Sequence, residues 1–348
     1  MKLEERWTSI MWNTRPIEQK IEKKLKIDFG RERGAELFAN YVASRKVLVE
    51  EILPEIKAKL PSHSDHGPEH IANVLDNVDS LLGGEPQKYL TGVELYCLGL
   101  SILFHDAGNL YGREGHNKRI SKIYDHCRSV SPEEQEKLVV LRVAEAHTGI
   151  TRDGNYDTLK ELSPLYNLFA RPVRLREIAA ILRFADELAE GPQRTSRFMH
   201  EIHGYDASSL LFHQYAKVTR VYIDRGNERI VLTYYFHLDF PGKTEEEALH
   251  ELEKLILFTY DRITKLDQER RYVAFYSELL APFKRTSAEF NFFKHGELID
   301  DLELGAIEIS DKIVPGEKMK SLHEYNAHYE INALLSRLRP MMERKSDA

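Results

Sequence analysis

Two cysteines in 348 residues, Cys97 and Cys127, are too few for a disulfide framework. That scarcity fits a reducing compartment, although one bridge is formally open. No run of about 18 apolar residues occurs. A basic start followed by an apolar stretch is missing too, so the chain is expected to be cytoplasmic. The glycine-lysine loop that cradles phosphates and the spaced glycines of a dinucleotide fold are both absent, which disfavours P-loop and NAD-dependent chemistry. Positive charge is not in excess: 49 Lys and Arg stand against 56 Asp and Glu, a formal net charge of −7. A surface that coats nucleic acid is therefore disfavoured, but a local basic pocket is not, because steering depends on where charge sits. No internal repeat or low-complexity tract interrupts the chain.

What is present is an ordinary folded composition, 42% hydrophobic and 30% charged, with 15 histidines. The length suits two or three packed units. Residues 1–33 carry Trp7, Trp12 and a helical repeat at Ile17, Ile21 and Leu25, expected to pack on the body or on a second subunit. Helical spacing runs through 34–60 and stops at the prolines Pro61 and Pro68. Further helices are expected over 69–82, 92–106, 116–128, 133–147 and 174–190, the second apolar all round and hence central. Past residue 200 the composition turns β-rich. Residues 217–224 and 229–238 flank a glycine-containing turn, the signal of a hairpin. A long amphipathic helix over 243–281, a short strand in "LGAIEIS" and a last helix over 318–338 complete the expectation.

The stretch "HGPEHIANVLDNV", residues 66–78, places two histidines four apart at a helix start, and either could face inward. In "SILFHDAGN", His105 and Asp106 end the most apolar helix, from where both side chains can reach over the helix end. In "LRFADELAE", Asp186 follows Leu182 by one turn and so points inward or nearly so. A buried carboxylate without a partner costs several kcal/mol, so Asp186 needs a cation or strong donors. Blander readings compete. His105 could bond the free carbonyls of a helix end, Asp186 could pair with Arg183 or Arg194, and His70 could cap its helix or lie at the surface. Imidazole and carboxylate together suit Mn, Fe, Ni, Co or Zn, while all-oxygen sites suit Mg or Ca.

Taken together, His70, His105-Asp106 and Asp186, in "EHIANV", "LFHDAGN" and "LRFADEL", resemble the H…HD…D signature of the HD-domain metal-dependent phosphohydrolases. The resemblance covers about residues 61–200. It implies an all-helical HD core over 61–200; with the patterns on either side, the expected fold is mainly α, with an N-terminal helical extension over 1–60 and a smaller α+β accessory or oligomerisation region over 201–348. It also selects His70 as the first ligand, because the family's first histidine precedes an aliphatic residue by four, here Val74. His66 then becomes a candidate for contacting substrate or supporting a ligand. Members that bind two metals use two further histidines, and "GHNKRIS" and "EAHTG" are similar to the segments supplying them, at His116 and His147. The resemblance thus implies one or two divalent ions (Mn, Fe, Ni, Co, Zn or Mg). It also implies catalytic roles for Asp106, His116 and His147.

Among the cations near these segments, Arg113, Lys118, Arg119, Arg194 and Arg197, we take Lys118 and Arg194 as candidates for holding phosphate. "HEYNAH" at 323–328 imitates a zinc-protease motif. Its histidines are five apart, however, about 140° round a helix, and do not share a face. "HEIH" at 200–203 has no motif context, and Cys97 sits in an apolar run and reads as core. The expected activity is hydrolysis of a phosphoester or phosphoanhydride of a small nucleotide, by an enzyme that could form a homodimer. The alternatives are a nucleotide-sensing or scaffolding module without turnover, and a metal-dependent nuclease of single strands.

Overall fold

A computed structural model describes residues 12–59, 66–128, 133–151, 153–196, 204–312 and 320–342. The fold is mainly helical with one substantial sheet, as the pattern implies. The chain divides into two compact units, Met1–Asp186 with Tyr276–Leu279, and Glu187–Phe275 with Leu280–Ala348. Trp7, Arg197 and the "HEIH" segment lie outside the described residues.

At the centre of the first unit is the helix Gly92–Phe104, every residue of which is buried. Its start is fixed by a capping box: the Thr91 hydroxyl accepts from the Glu94 amide at 3.3 Å, and Glu94 accepts from the Thr91 amide at 2.9 Å. Glu94 also receives Arg174 Nε at 2.7 Å and the Arg174 amide at 3.1 Å, tying this helix to the start of the helix Leu175–Glu187. Burial alone would raise the Glu94 pKa, but the Arg174 and Thr91 donors outweigh it and hold the carboxyl below 4.5. Gly99 lets the helix Pro16–Phe29 approach closely: a Cβ there would lie 2.9 Å from Ile21 Cδ1 and 3.0 Å from Tyr41 Cε2. The repeat Ile17, Ile21 and Leu25 is accordingly buried within this unit. The run 34–60 forms Arg31–Val47, a π-helical turn Leu48–Ile52 and Leu53–Lys59.

Beyond the central helix, the expected 116–128 helix is shorter, being a 3-10 turn His116–Lys118 followed by Ser121–Cys127. The helix Glu134–Glu145 packs against the centre through Glu136, whose buried carboxylate accepts from Tyr96, Tyr124 and Arg128. A small hairpin of β1 (Tyr166–Leu168) and β2 (Arg171–Val173) was not legible in the sequence. Its strands are three residues long, too short for a period-2 pattern to register.

In the second unit the expected hairpin forms as β3 (Thr219–Asp224) and β4 (Arg229–His237), with Val221 opposite Leu232. The helix Glu245–Tyr276 then crosses over and returns the chain to β5 (Arg285–Lys294), which lies parallel to β4. A short β6 (Glu297–Leu298) and β7 (Ile307–Ser310), the strand expected in "LGAIEIS", both pair antiparallel with β5. Tyr234, Phe236, Phe290 and Phe292 fill one face of this sheet. Two differences stand out. The helix Ala207–Val218 precedes β3 where none was expected. The last helix is broken at extended Asn326 into Leu322–Tyr325, Ala327–Tyr329 and Ile331–Met342.

Candidate metal centre

Three helices deliver the histidines and aspartates to one point in the first unit. The helix Pro68–Leu81 starts on a proline, buries Ile71, Val74, Leu75 and Val78, and carries His70 in its first turn on the same face. From that helix, Asn77 Nδ2 donates to the Ala185 carbonyl at 2.9 Å, one residue before Asp186. His105 and Asp106 follow the last residue of the central helix, where the chain tightens into the 3-10 turn Ala107–Tyr111. Asp186 is next to last in Leu175–Glu187.

The resulting distances are short. His70 Nε2 lies 3.3 Å from His105 Nε2, 3.1 Å from Asp186 Oδ1 and 3.5 Å from Asp106 Oδ2. His105 Nε2 lies 3.3 Å from Asp106 Oδ2 and 3.6 Å from Asp186 Oδ1. Asp106 also faces a second set through its other oxygen, with His116 Nε2 at 3.1 Å and His147 Nε2 at 3.8 Å from Oδ1. His70, His105, Asp106 and Asp186 therefore form one group able to hold a cation, and Asp106, His116 and His147 form another, with Asp106 common to both.

The donor chemistry fits a divalent ion on three counts. First, atoms that each bind one ion at about 2.1 Å stand roughly 3.0–3.5 Å apart, close to the separations seen here. Second, the rings are already turned. Nδ1 of His105, His116 and His147 each donates to the carbonyl three residues earlier, at Ile102, Arg113 and Ala144 (2.7, 3.0 and 2.5 Å), so each Nε2 points at the carboxylates. Third, His116 Nε2 is buried and makes no hydrogen bond, although Asp106 Oδ1 is 3.1 Å away. Two atoms so placed converge on a common point and not on each other.

Electrostatics agrees. Burial disfavours charge on His105, yet Asp106 and Asp186 overcome it and raise the pKa to about 10. The first group thus demands a positive charge at Nε2, supplied by a proton or by a metal ion. Burial opposes ionisation of Asp106 and Asp186 as well, but the surrounding imidazoles hold both well below 3.8. His147 is driven down to about 3, by burial first and by the charge on His105 second, so it stays neutral.

His66 has a different place. Arg113 Nη1 donates to its Nε2 at 3.0 Å, which leaves the proton on Nδ1, and that nitrogen donates to Asp106 Oδ2 at 2.5 Å. The ring is engaged by protein on both sides and orients Asp106. The Arg113 link is not legible from local pattern, since 47 residues separate the two partners. Two asparagines were missed also. Asn109 Nδ2 donates to Asp106 Oδ1 at 3.0 Å, and Asn117 Nδ2 donates to the carbonyls of Glu145 and Thr148, joining the segments of His116 and His147. The first glycine of "GNLYGREGHN" has a reason here: a Cβ on Gly108 would lie 1.9 Å from the His116 carbonyl oxygen.

Of the competing readings, the helix-end one for His105 holds for one ring nitrogen only. Its Nδ1 bonds the Ile102 carbonyl while its Nε2 faces the carboxylates. Arg183 donates to Thr158 Oγ1 at 3.0 Å. Arg194 lies in the 3-10 turn Pro192–Arg194 of the second unit. Lys118 is exposed, with Nζ 3.4 Å from the Ile150 carbonyl, on the wall of a polar cavity of about 720 Å3 that Arg142, Glu145 and Thr158 also line. That cavity begins one residue past His116 and flanks His147 through Ala146 and Thr148. Arg119 donates to the Tyr111 carbonyl at 2.7 Å. Cys97 is buried, and burial pushes its thiol well up, as befits core. His323 and His328 fall on either side of the break at Asn326. No helix among the described residues is long and apolar enough to cross a membrane.

The family model HD-CE covers residues 60–269, a span that contains every member of both groups. No curated protein and no solved structure matches the chain.

Proposed function

Because the chain belongs to the HD-CE family, an HD-domain family, we propose that the buried centre makes it a metal-dependent phosphohydrolase acting on a phosphoester or phosphoanhydride of a nucleotide-type substrate. Family membership and the histidine–aspartate cluster together suggest a metal-dependent hydrolase of HD type. The observation that carries the reading is Asp106, whose two oxygens face His70 and His105 on one side and His116 and His147 on the other.

In this reading His70, His105, Asp106 and Asp186 hold one divalent ion, and Asp106, His116 and His147 hold a second. Such ions supply Lewis acidity and make a water acidic enough to ionise near neutral pH. The protein's own groups do the rest. The Arg113–His66 pair fixes the plane of the Asp106 carboxylate, and the backbone carbonyls of Ile102, Arg113 and Ala144 fix the rings. Asp186 is the most exposed member, its side chain 24% accessible, and marks the open side of the first group. Lys118 and Arg142 on the polar cavity offer charge-assisted donors to phosphate oxygens. The net charge of −7 favours a small nucleotide over a polymer.

The test is a phosphate-release screen over nucleoside mono-, di- and triphosphates and cyclic nucleotides, each with Mn, Co, Ni, Zn and Mg. Hydrolysis that needs an added ion and vanishes in Asp186→Ala supports the proposal. Equal turnover by that variant, or hydrolysis indifferent to chelator, defeats it.

A further inference from the structure

The second unit has a cavity of its own, about 770 Å3, which shares no residue with the metal centre. It arises from a mismatch of strand lengths. β3 begins at Thr219 opposite Tyr234, so β4 from Tyr235 to His237 has β5 on one side and no strand on the other among the described residues. The space left there is walled by the end of the helix Ala207–Val218, which brings Lys217, and by Leu252 and Leu255 of the helix Glu245–Tyr276.

Two kinds of group face this space. Tyr235 and His237 alternate with the buried Tyr234, Phe236 and Leu238, and so present their rings on the opposite side of β4. Phe293 of β5 lies opposite His237, stacked on it with centroids 5.5 Å apart, and meets Tyr235 edge-on at 5.9 Å. These rings are half-exposed or exposed, an aromatic surface that the unit leaves uncovered. Beside them is Arg220, whose Nη1 donates to the carbonyls of Lys217 and Thr219 at 3.2 and 2.8 Å and whose guanidinium sits 5.6 Å from the Tyr235 ring centroid. The anions of the wall are answered within the protein. Glu251 pairs with Lys243, and Asp239 accepts the His295 amide at 2.9 Å and lies 3.5 Å from Lys294 Nζ. Lys217 and Arg220 have no ion-pair partner among the described residues, so the unanswered charge is positive.

Planar rings beside two unanswered cations select a ligand that is both flat and anionic. An inorganic anion alone would leave the rings unused, and an apolar ligand would leave the cations facing it. Stacking takes any base because every base has a π face. The volume falls within the range of about 300–1,000 Å3 usual for small-ligand sites. We propose that this cavity binds a free nucleotide, its base against Tyr235 and Phe293 and its phosphates on Lys217 and Arg220. The proposal stands whether or not the metal centre turns over.

The experiment is equilibrium dialysis of the full chain with labelled ATP and GTP, in EDTA so that the metal centre does not hold phosphate. Four proteins are compared: wild type, the double variant Lys217→Gln/Arg220→Gln, Tyr235→Ala and Asp186→Ala, with thermal melts confirming that each is folded. Lys217 and Arg220 are exposed, so their replacement leaves the fold in place. Saturable binding of at least one nucleotide is expected, weakened about tenfold or more in the double variant and in Tyr235→Ala, and unchanged in Asp186→Ala. No binding of either nucleotide overturns the proposal, as does loss in Asp186→Ala alone. Tripolyphosphate competing as well as ATP shows that the rings play no part, and a ten-residue oligothymidylate binding more tightly than either nucleotide shows that the cavity serves a strand. Either result overturns it too.

Discussion

Replacing Asp106 by Asn tests the shared carboxylate in a way no other substitution can. The amide keeps the volume and one oxygen but removes the charge that both groups rely on. Breaking a buried charge pair by neutralising one member costs about 3–5 kcal/mol. Expressed as metal affinity, that is a loss of roughly 10²- to 10³-fold or more. The pattern across variants is sharper than the magnitude. Asp106→Asn should empty both groups, whereas His116→Gln and His147→Gln should empty only the second and Asp186→Asn chiefly the first. The assay is elemental analysis of each variant after dialysis against metal-free buffer, expressed as ions per chain. Asp106→Asn protein that retains as many ions as the wild type would refute the reasoning, because no ion could then be bridged by that carboxylate.

Other expectations follow from the same contacts. Gly108→Ala puts a methyl group where the His116 carbonyl stands, 1.9 Å away, so it should displace His116 and remove the second ion while sparing the first, again read as ions per chain. Glu136→Gln leaves Arg128, only 5% exposed, beside a neutral amide. It should lower unfolding free energy by about 3 kcal/mol in urea titration with an unchanged m value. The Glu94 carboxyl is held below 4.5 in the folded state, so its contribution is present above the unfolded pKa and is lost as pH falls through the folded one. Glu94→Gln should therefore reduce stability at pH 7 and flatten its decline below pH 4.5, measured by melting temperature across pH.

Much of this site was legible because its parts sit where local rules are strong. Apolar spacing located the Pro68–Leu81, Gly92–Phe104 and Leu175–Glu187 helices, so His70 and Asp186 could be placed on or beside inner faces and His105-Asp106 at a helix end. Other features depend on partners distant in sequence. The Arg113–His66 bond and the approach of Gly108 to His116 arise from a loop whose path no periodicity records. β5 was missed because "RTSAEFNFFK" mixes polar and aromatic residues and acquires its strand only by lying parallel to β4 across the long helix. Sequence left His66 between contacting substrate and supporting a ligand, and the geometry favours support, because its Nδ1 meets Asp106 and its Nε2 receives Arg113. The break at Asn326 escaped notice for a similar reason. Its side chain donates to the Leu304 carbonyl, a tertiary bond that outweighs helical spacing.

The central claim, that His70, His105, Asp106 and Asp186 together hold one divalent ion, is tested most directly by anomalous diffraction from crystals of the protein grown with manganese. The account predicts an anomalous peak equidistant from His70 Nε2, His105 Nε2 and the two carboxylates. Manganese found only at surface carboxylates, with those four side chains hydrogen-bonded to one another around a proton, would contradict it.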